Sequence, residues 1–167
     1  PPMRAGSPRT NSIAVVGTRR CTQYGREVAS DLGRELAAAG VRVVSGLALG
    51  IDAAAHAGAL AVAGAPPIGV VGNGVDVTYP RRNAALYREV AERGVLLSEY
   101  PLGCQPRTWT FPARNRIVAA LARTLVVVES QRTGGSLHTV DAAADRDVEI
   151  MAVPGSVRSP ASEGPNE

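Results

Sequence analysis

The sequence predicts one α/β domain: a three-layer, doubly wound, mainly parallel sheet with helices on both faces. Three observations predict it. A short apolar run, a loop rich in Gly, Ser, Asn or Arg, and a helical pattern recur in that order along the chain. The apolar runs are mostly β-branched residues or Leu, as in strands covered on both faces. The 167 residues are 45% apolar and 20% charged but only 4% aromatic, so the core must come from Ala, Val, Leu and Ile packed closely on a sheet.

The first strand is expected at residues 13–16, an unbroken apolar run. The helix after it, 22–39, spaces Tyr24, Val28, Leu32 and Leu36 four apart on one face, with Arg26, Glu27, Asp31 and Glu35 elsewhere and Gly40 as its stop. Strands follow at 41–45 and 67–71, separated by a helix at 51–63 that closes before Gly64. A helix at 83–93 ends before Gly94 and leads into a strand at 95–98; a helix opened by Pro112 covers 112–122. The last elements are a strand at 124–129, a helix at 136–145 and a strand at 148–153. Five crossovers linking six strands imply a Rossmann-like topology, since parallel neighbours need a helical crossover of fixed hand. The domain is expected over 12–156, after a flexible tail at 1–11 rich in Pro and Arg. Residues 157–167, rich in Pro, Gly and Ser, are read as a flexible or truncated end.

Composition narrows the functional classes. No apolar run approaches the roughly 18 residues that span a bilayer, and no charged region precedes an apolar one as in a secretion signal. Cys21 and Cys104 stand far apart with only His56 and His138 to help, so no zinc site or disulfide framework is read and no cofactor is implied. A reducing, cytoplasmic setting is expected.

All 18 basic residues are Arg, and against 15 acids they leave a net charge of +3. Their placement says more than the total. In a doubly wound sheet the loops from strand end to helix start gather at one edge, where ligands bind and helix N-termini present free amides. Eight arginines (19, 20, 81, 82, 107, 114, 116 and 132) fall in those loops or first turns, against Asp52, Asp76, Glu99 and Glu129. That edge therefore carries +4, and the other ten arginines and eleven acids sum to −1. A cation in a first helical turn opposes the helix dipole at about 0.3 to 1 kcal/mol. The arginines either satisfy carbonyls and neighbouring acids, or they await a polyanion such as a nucleic-acid strand.

The densest stretch, 100–128, holds Arg107, Arg114, Arg116 and Arg123 and no acid, with Trp109 and Phe111 interleaved among them. Arginine with aromatics is the composition of a single-strand platform, where phosphates are neutralised while bases stack. Core anchoring of either ring is the competing reading, and alternation points only one of the two inward. Three glycine-bearing loops on the same edge allow close backbone approach: Gly17-Thr18-Arg19, the run from Ser45 and Gly46 to Gly50, and Thr133-Gly134-Gly135-Ser136. None is a clean phosphate-binding motif, but each follows a strand and opens a helix.

Together these segments resemble the DNA-processing protein A (DprA/Smf) family. The resemblance rests on Val16-Gly17-Thr18-Arg19, on Ser45-Gly46-Leu47-Ala48-Leu49-Gly50-Ile51-Asp52 with His56, and on Gly74-Val75-Asp76 with Tyr79-Pro80 and Asn83. It continues through Leu97-Ser98-Glu99-Tyr100-Pro101, Phe111-Pro112-Ala113-Arg114-Asn115-Arg116-Ile117, Gly135-Ser136-Leu137 and Val153-Pro154-Gly155-Ser156. It implies a Rossmann-like core that binds single-stranded DNA, protects incoming strands in natural transformation, loads the RecA recombinase and forms a homodimer. Residue by residue, it implies that Gly17, Thr18, Arg19, Ser45, Gly46 and Gly50 form a pocket for DNA phosphates. Arg107, Phe111, Arg114, Asn115 and Arg116 are then expected on the strand, with Gly135 and Ser136 beside them. The sequence departs from the family at Thr133-Gly134-Gly135-Ser136, where an Arg-Ser-Gly-Ser type of loop is usual, and at Val140, where Ala is usual.

The alternative is a nucleotide-binding or phosphoribohydrolase enzyme of the lysine-decarboxylase-like Rossmann type. Its glycine-rich motif is matched only partly at 133–141, with Asp141 as the candidate acid or base. No other catalytic set is read. Asp52 and His56, one turn apart, are taken as structural: Asp52 bonding loop amides and His56 packed nearby. Glu99 and Glu129 are expected to pair with Arg114 or Arg116 and fix their direction.

Overall fold

A computed structural model describes residues 11–167, and the expected tail lies, except for Asn11, outside the described residues. The elements are β1 (Ser12–Val16), α1 (Gln23–Ala38), β2 (Arg42–Ser45), α2 (Ile51–Leu60), β3 (Ile68–Val70), α3 (Ala84–Arg93), β4 (Val95–Leu97), α4 (Thr110–Leu121), β5 (Thr124–Val127), α5 (Leu137–Ala144), β6 (Glu149–Ala152) and a short α6 (Glu163–Asn166). The six strands form one parallel sheet in the order β4-β3-β2-β1-β5-β6. This is the doubly wound, Rossmann-like α/β architecture that alternating strand and helix patterns imply. The order in which strands are added reverses between β1 and β5, which pair in parallel from Ile13 opposite Thr124 to Val16 opposite Val127.

The pleat of β1 divides the core. Val15 turns to one face, where Val43 and Val128 join Ala29, Ala37, Ile51, Ala55 and Ala59 of α1 and α2. Ala14 and Val16 turn to the other, with Val44, Val70, Leu125 and Val127 against Val118, Ala119 and Ala143 of α4 and α5. On the first face, Tyr87 and Val90 of α3 close on Leu47, Leu60 and Val71.

Two expectations fail, each for a packing reason. In α1 the buried line is Gly25, Ala29, Gly33 and Ala37, one residue on from the expected apolar line. Tyr24 is exposed, and Val28, Leu32 and Leu36 are only half-buried. Small residues win because α1 lies hard against α2: a Cβ on Gly33 would collide with the Ala55 carbonyl, and one on Gly58 with that of Ser30. The expectation that every strand is covered on both faces also fails at the sheet edges. All four residues of β6 are exposed, and so are Val95 and Leu97 of β4. An edge strand has one neighbour, so its side chains lose the cover that a second flanking strand and its helix would give.

Element ends differ from expectation by one to three residues. Helix α2 stops at Leu60 and α4 starts two residues early, at Thr110. Within 157–167, a 3-10 turn at Pro160–Ser162 and α6 fold back on the loop after β5. Ser130 donates its amide to Ala161 O at 2.8 Å and accepts from Gly164 N at 2.8 Å. Asn166 meets the Gly155 backbone at 3.1 and 3.2 Å.

Candidate nucleic-acid interface

The reversal between β1 and β5 opens a groove at the C-terminal ends of the strands, the position where doubly wound sheets bind ligands. Its volume is about 650 Å³, and its lining comes from the loops after β1, β2 and β5 and from the first two turns of α4. Hydrogen bonds fix the β1 loop on both sides: Thr18 N donates to Glu129 O at 2.7 Å, and Thr18 O accepts from Ile51 N at 3.2 Å. Arg19 and Arg20 consequently project from a held loop, and both are exposed.

The β2 loop approaches so closely that side chains are excluded. Gly50 has φ +80 and faces the Thr18 carbonyl, so it is both left-handed and crowded. Gly46 lies flat on the Arg114 guanidinium, where any Cβ would overlap it. Arg114 itself is only 4% exposed. Its Nη1 donates to Val70 O, its Nε has no partner among the described residues, and Asp52 attracts it through space.

Asp52 accepts from Gly46 N at 3.1 Å. Burial pushes its carboxyl above the usual range, against the pull of Arg114 and of the Ala48 and Gly46 amides. His56, fully buried, faces Ile68 O through Nε2 at 3.1 Å, and burial lowers its pKa to about 4. Both residues thus take the structural roles read for them.

Above this floor lies an aromatic stack. Tyr79 and Phe111 stack with centroids 5.4 Å apart at 28°, and the Arg19 guanidinium stands 5.3 Å from the Phe111 centroid. Phe111 is half-buried and Trp109 is 61% exposed, so the more inward ring is Phe111. On the far wall the Gln131–Ser136 loop is closed by Gly134 N to Gln131 O at 2.9 Å and Ser136 Oγ to Ser130 Oγ at 2.7 Å.

Nine of the thirteen expected residues line the groove: Gly17, Thr18, Arg19, Gly46, Phe111, Arg114, Asn115, Gly135 and Ser136. Ser45 lies behind it, donating to Val15 O at 2.6 Å, and Gly50 lies under the β1 loop. Arg107 and Arg116 are exposed outside the lining, and Arg116 is ion-paired with Glu99. Glu129 does not turn to an arginine as expected. It is buried and accepts from Thr22 N at 2.8 Å and Thr22 Oγ1 at 2.5 Å, because α1 starts with unpaired donors directly beneath it. Tyr79 and Gln131 also line the groove and carry no site assignment in the sequence reading, whereas Thr133 belongs to the glycine-bearing loop expected at this edge. Tyr79 follows a loop whose apolar and glycine content gave no platform signal, and its place beside Phe111 is made by the fold.

Arg132 pairs with Glu167. Among the described residues, Arg19, Arg20, Arg81, Arg82 and Arg107 form no ion pair, so five of the eight edge arginines keep their charge for solvent or a ligand. Asp141 is exposed on α5 and does not line the groove. Among the described residues, no helix is long and apolar enough to cross a membrane.

The sequence family described as DNA recombination-mediator protein A matches residues 5–167. The chain belongs to this family. It is 41% identical over 153 residues to DNA processing protein DprA of Bacillus subtilis strain 168, covering 92% of this chain and 51% of that protein. It therefore spans about half the length of that curated relative. The X-ray structure of DprA from Streptococcus pneumoniae superposes with a TM-score of 0.85 at 39% identity, over 93% of this chain and 54% of that one. A structure of DNA processing protein A from Helicobacter pylori, described for its unique single-stranded DNA binding mode, matches with a TM-score of 0.86 at 32% identity, over 93% and 70% of the two chains.

Proposed function

We propose that this chain is a non-catalytic, single-stranded DNA-binding unit and that the groove between β1 and β5 holds the strand. One observation carries the reading: Arg19, exposed and without an acid partner among the described residues, stands over Phe111, which stacks on Tyr79 at the groove mouth. A guanidinium over one ring and a second ring stacked on it bring a phosphate-binding cation and aromatic surface together at the groove mouth, the pairing that phosphates and bases of a single strand require. With the Thr18 amide given to Glu129 O and the Ser136 hydroxyl to Ser130 Oγ, the Thr18 hydroxyl and the Gly135 and Ser136 amides are the phosphate donors of the groove, with Gly17, Arg20 and Asn115 beside them. Arg107 lies along the outer path of the strand, and Arg116 is held back from it by Glu99. The H. pylori relative described for single-stranded DNA binding supports this assignment.

In the whole protein we assign the same strand a further fate, as in the family: protection during natural transformation and transfer to the RecA recombinase from a homodimer. Hydrolysis of a nucleotide is not favoured, because Asp141 lies outside the groove and His56 is sealed in the core. The deciding measurement is fluorescence anisotropy with labelled oligo-dT, the matching duplex as competitor and a nucleoside monophosphate as second competitor. Single strands should bind best. Preference for the monophosphate, or release of free base from it, would overturn the binding reading in favour of an enzyme.

A further inference from the structure

Trp109 is the only tryptophan of the chain, and the fold leaves it 61% exposed. It sits at the apex of a closed turn. Thr110, fully buried, donates to Arg107 O through its amide at 3.0 Å and its hydroxyl at 2.8 Å. The turn is therefore rigid while its largest side chain stays in water. Tyr100 meets the indole edge-on, with centroids 6.0 Å apart at 72°, an arrangement that steadies the ring without covering both faces. An exposed indole contributes little to the core, so packing does not account for it.

Its surroundings supply the second half of the argument. Thr108 and Phe111, its neighbours in sequence, both line the groove while Trp109 does not, so the indole lies just outside the lining. Arg107, two residues back, is exposed and unpaired among the described residues. Glu99, the acid next to Tyr100, is held by Arg116. A strand leaving the groove past Phe111 therefore has an exposed ring and an exposed cation within two residues of each other in the same turn, and Glu99 is already neutralised.

We propose that Trp109 is a second base-stacking station, outside the groove, for single-stranded DNA that extends beyond the groove, with Arg107 taking the adjoining phosphate. This rests on the reading of the groove as a single-strand site and adds to it a contact that only longer strands reach. A base laid on a preformed indole loses little conformational entropy in the protein, because the turn and Tyr100 already fix the ring.

The chain reports on this site directly, because all its tryptophan fluorescence comes from Trp109. Oligo-dT of about four nucleotides, enough for the groove, and of about twelve, enough to pass the rim, are titrated into the 167-residue chain with anisotropy and tryptophan emission read together. The long oligonucleotide should quench the emission and the short one should not. Trp109→Ala should weaken the long oligonucleotide about tenfold and leave the short one unchanged, and Trp109→Phe should restore most of the loss. Binding of the long strand without a change in emission, or equal binding by Trp109→Ala, overturns the rim station and leaves the groove reading standing. Absence of anisotropy change with either oligonucleotide overturns both.

Discussion

Arg19 and Arg114 share the groove but differ in exposure, so they answer to different measurements. Arg19 is free to neutralise a phosphate, and Arg19→Ala should weaken oligo-dT binding and make the slope of log K against log salt shallower by about 0.7. Arg114 was expected to contact the strand. Its burial under Gly46 and its bond to Val70 O make it a positioning group instead. Arg114→Ala should lower the urea midpoint, at a cost of about 2 to 5 kcal/mol, because Asp52 loses the cation that offsets its burial. A variant that unfolds like the parent would contradict this. His56 sets the acid limb of stability. Its folded pKa of about 4 lies below the ordinary 6.5, so the unfolded chain takes up the proton first, and stability present above pH 6.5 is lost as pH falls toward 4. The effect is on the order of 3 kcal/mol. Asp52, raised above 3.8, works in the opposite sense, its contribution falling as pH rises through its titration, and Arg114 facing both is charged throughout. Urea midpoints across this range should therefore slope less steeply in His56→Gln than in the parent.

At the scale of elements, the α1–α2 contact decides how the β1 and β2 loops approach each other. Gly33 and Gly58 let two helix backbones touch, and the loops that lead into those helices carry Arg19 and Gly46. Gly58→Ala has to push Ser30 away, which should cost about 1 to 3 kcal/mol by urea unfolding. Binding should weaken with it, since the displaced helix carries Ile51, whose amide holds Thr18. A fully stable variant would show that the interface has room to spare. The helical period was legible in sequence, but the buried face was not. Tyr24, Val28, Leu32 and Leu36 make the better apolar line, and a pattern rule ranks bulk above closeness. Only the approach of α2 reveals that alanine and glycine are wanted there.

Over the whole molecule, a net charge of +3 becomes polar through topology, as the strand-to-helix loops share one edge. Three of the eight edge arginines are used internally: Arg114 by burial, Arg116 by Glu99 and Arg132 by Glu167. The remaining five bound the electrostatics of binding. With about 0.7 counterions released per phosphate of a single strand, the salt slope should be no steeper than about −3.5 per chain. A steeper slope from anisotropy at several salt concentrations would place further arginines on the strand.

The order of apolar runs and helical patterns determined the α/β class, the number of strands and the parallel sense, because each rests on local periodicity and on the handedness of crossovers. The loop sequences likewise marked which edge carries glycine and arginine. What the tertiary structure decided is which of those residues line the groove and which are buried or paired. Arg114 sinks beneath Gly46, Glu129 turns to Thr22, Tyr79 arrives on Phe111 from a distant loop, and Trp109 stays in water. Burial and pairing of a loop side chain depend on neighbours brought from elsewhere in the chain, and no local pattern encodes them.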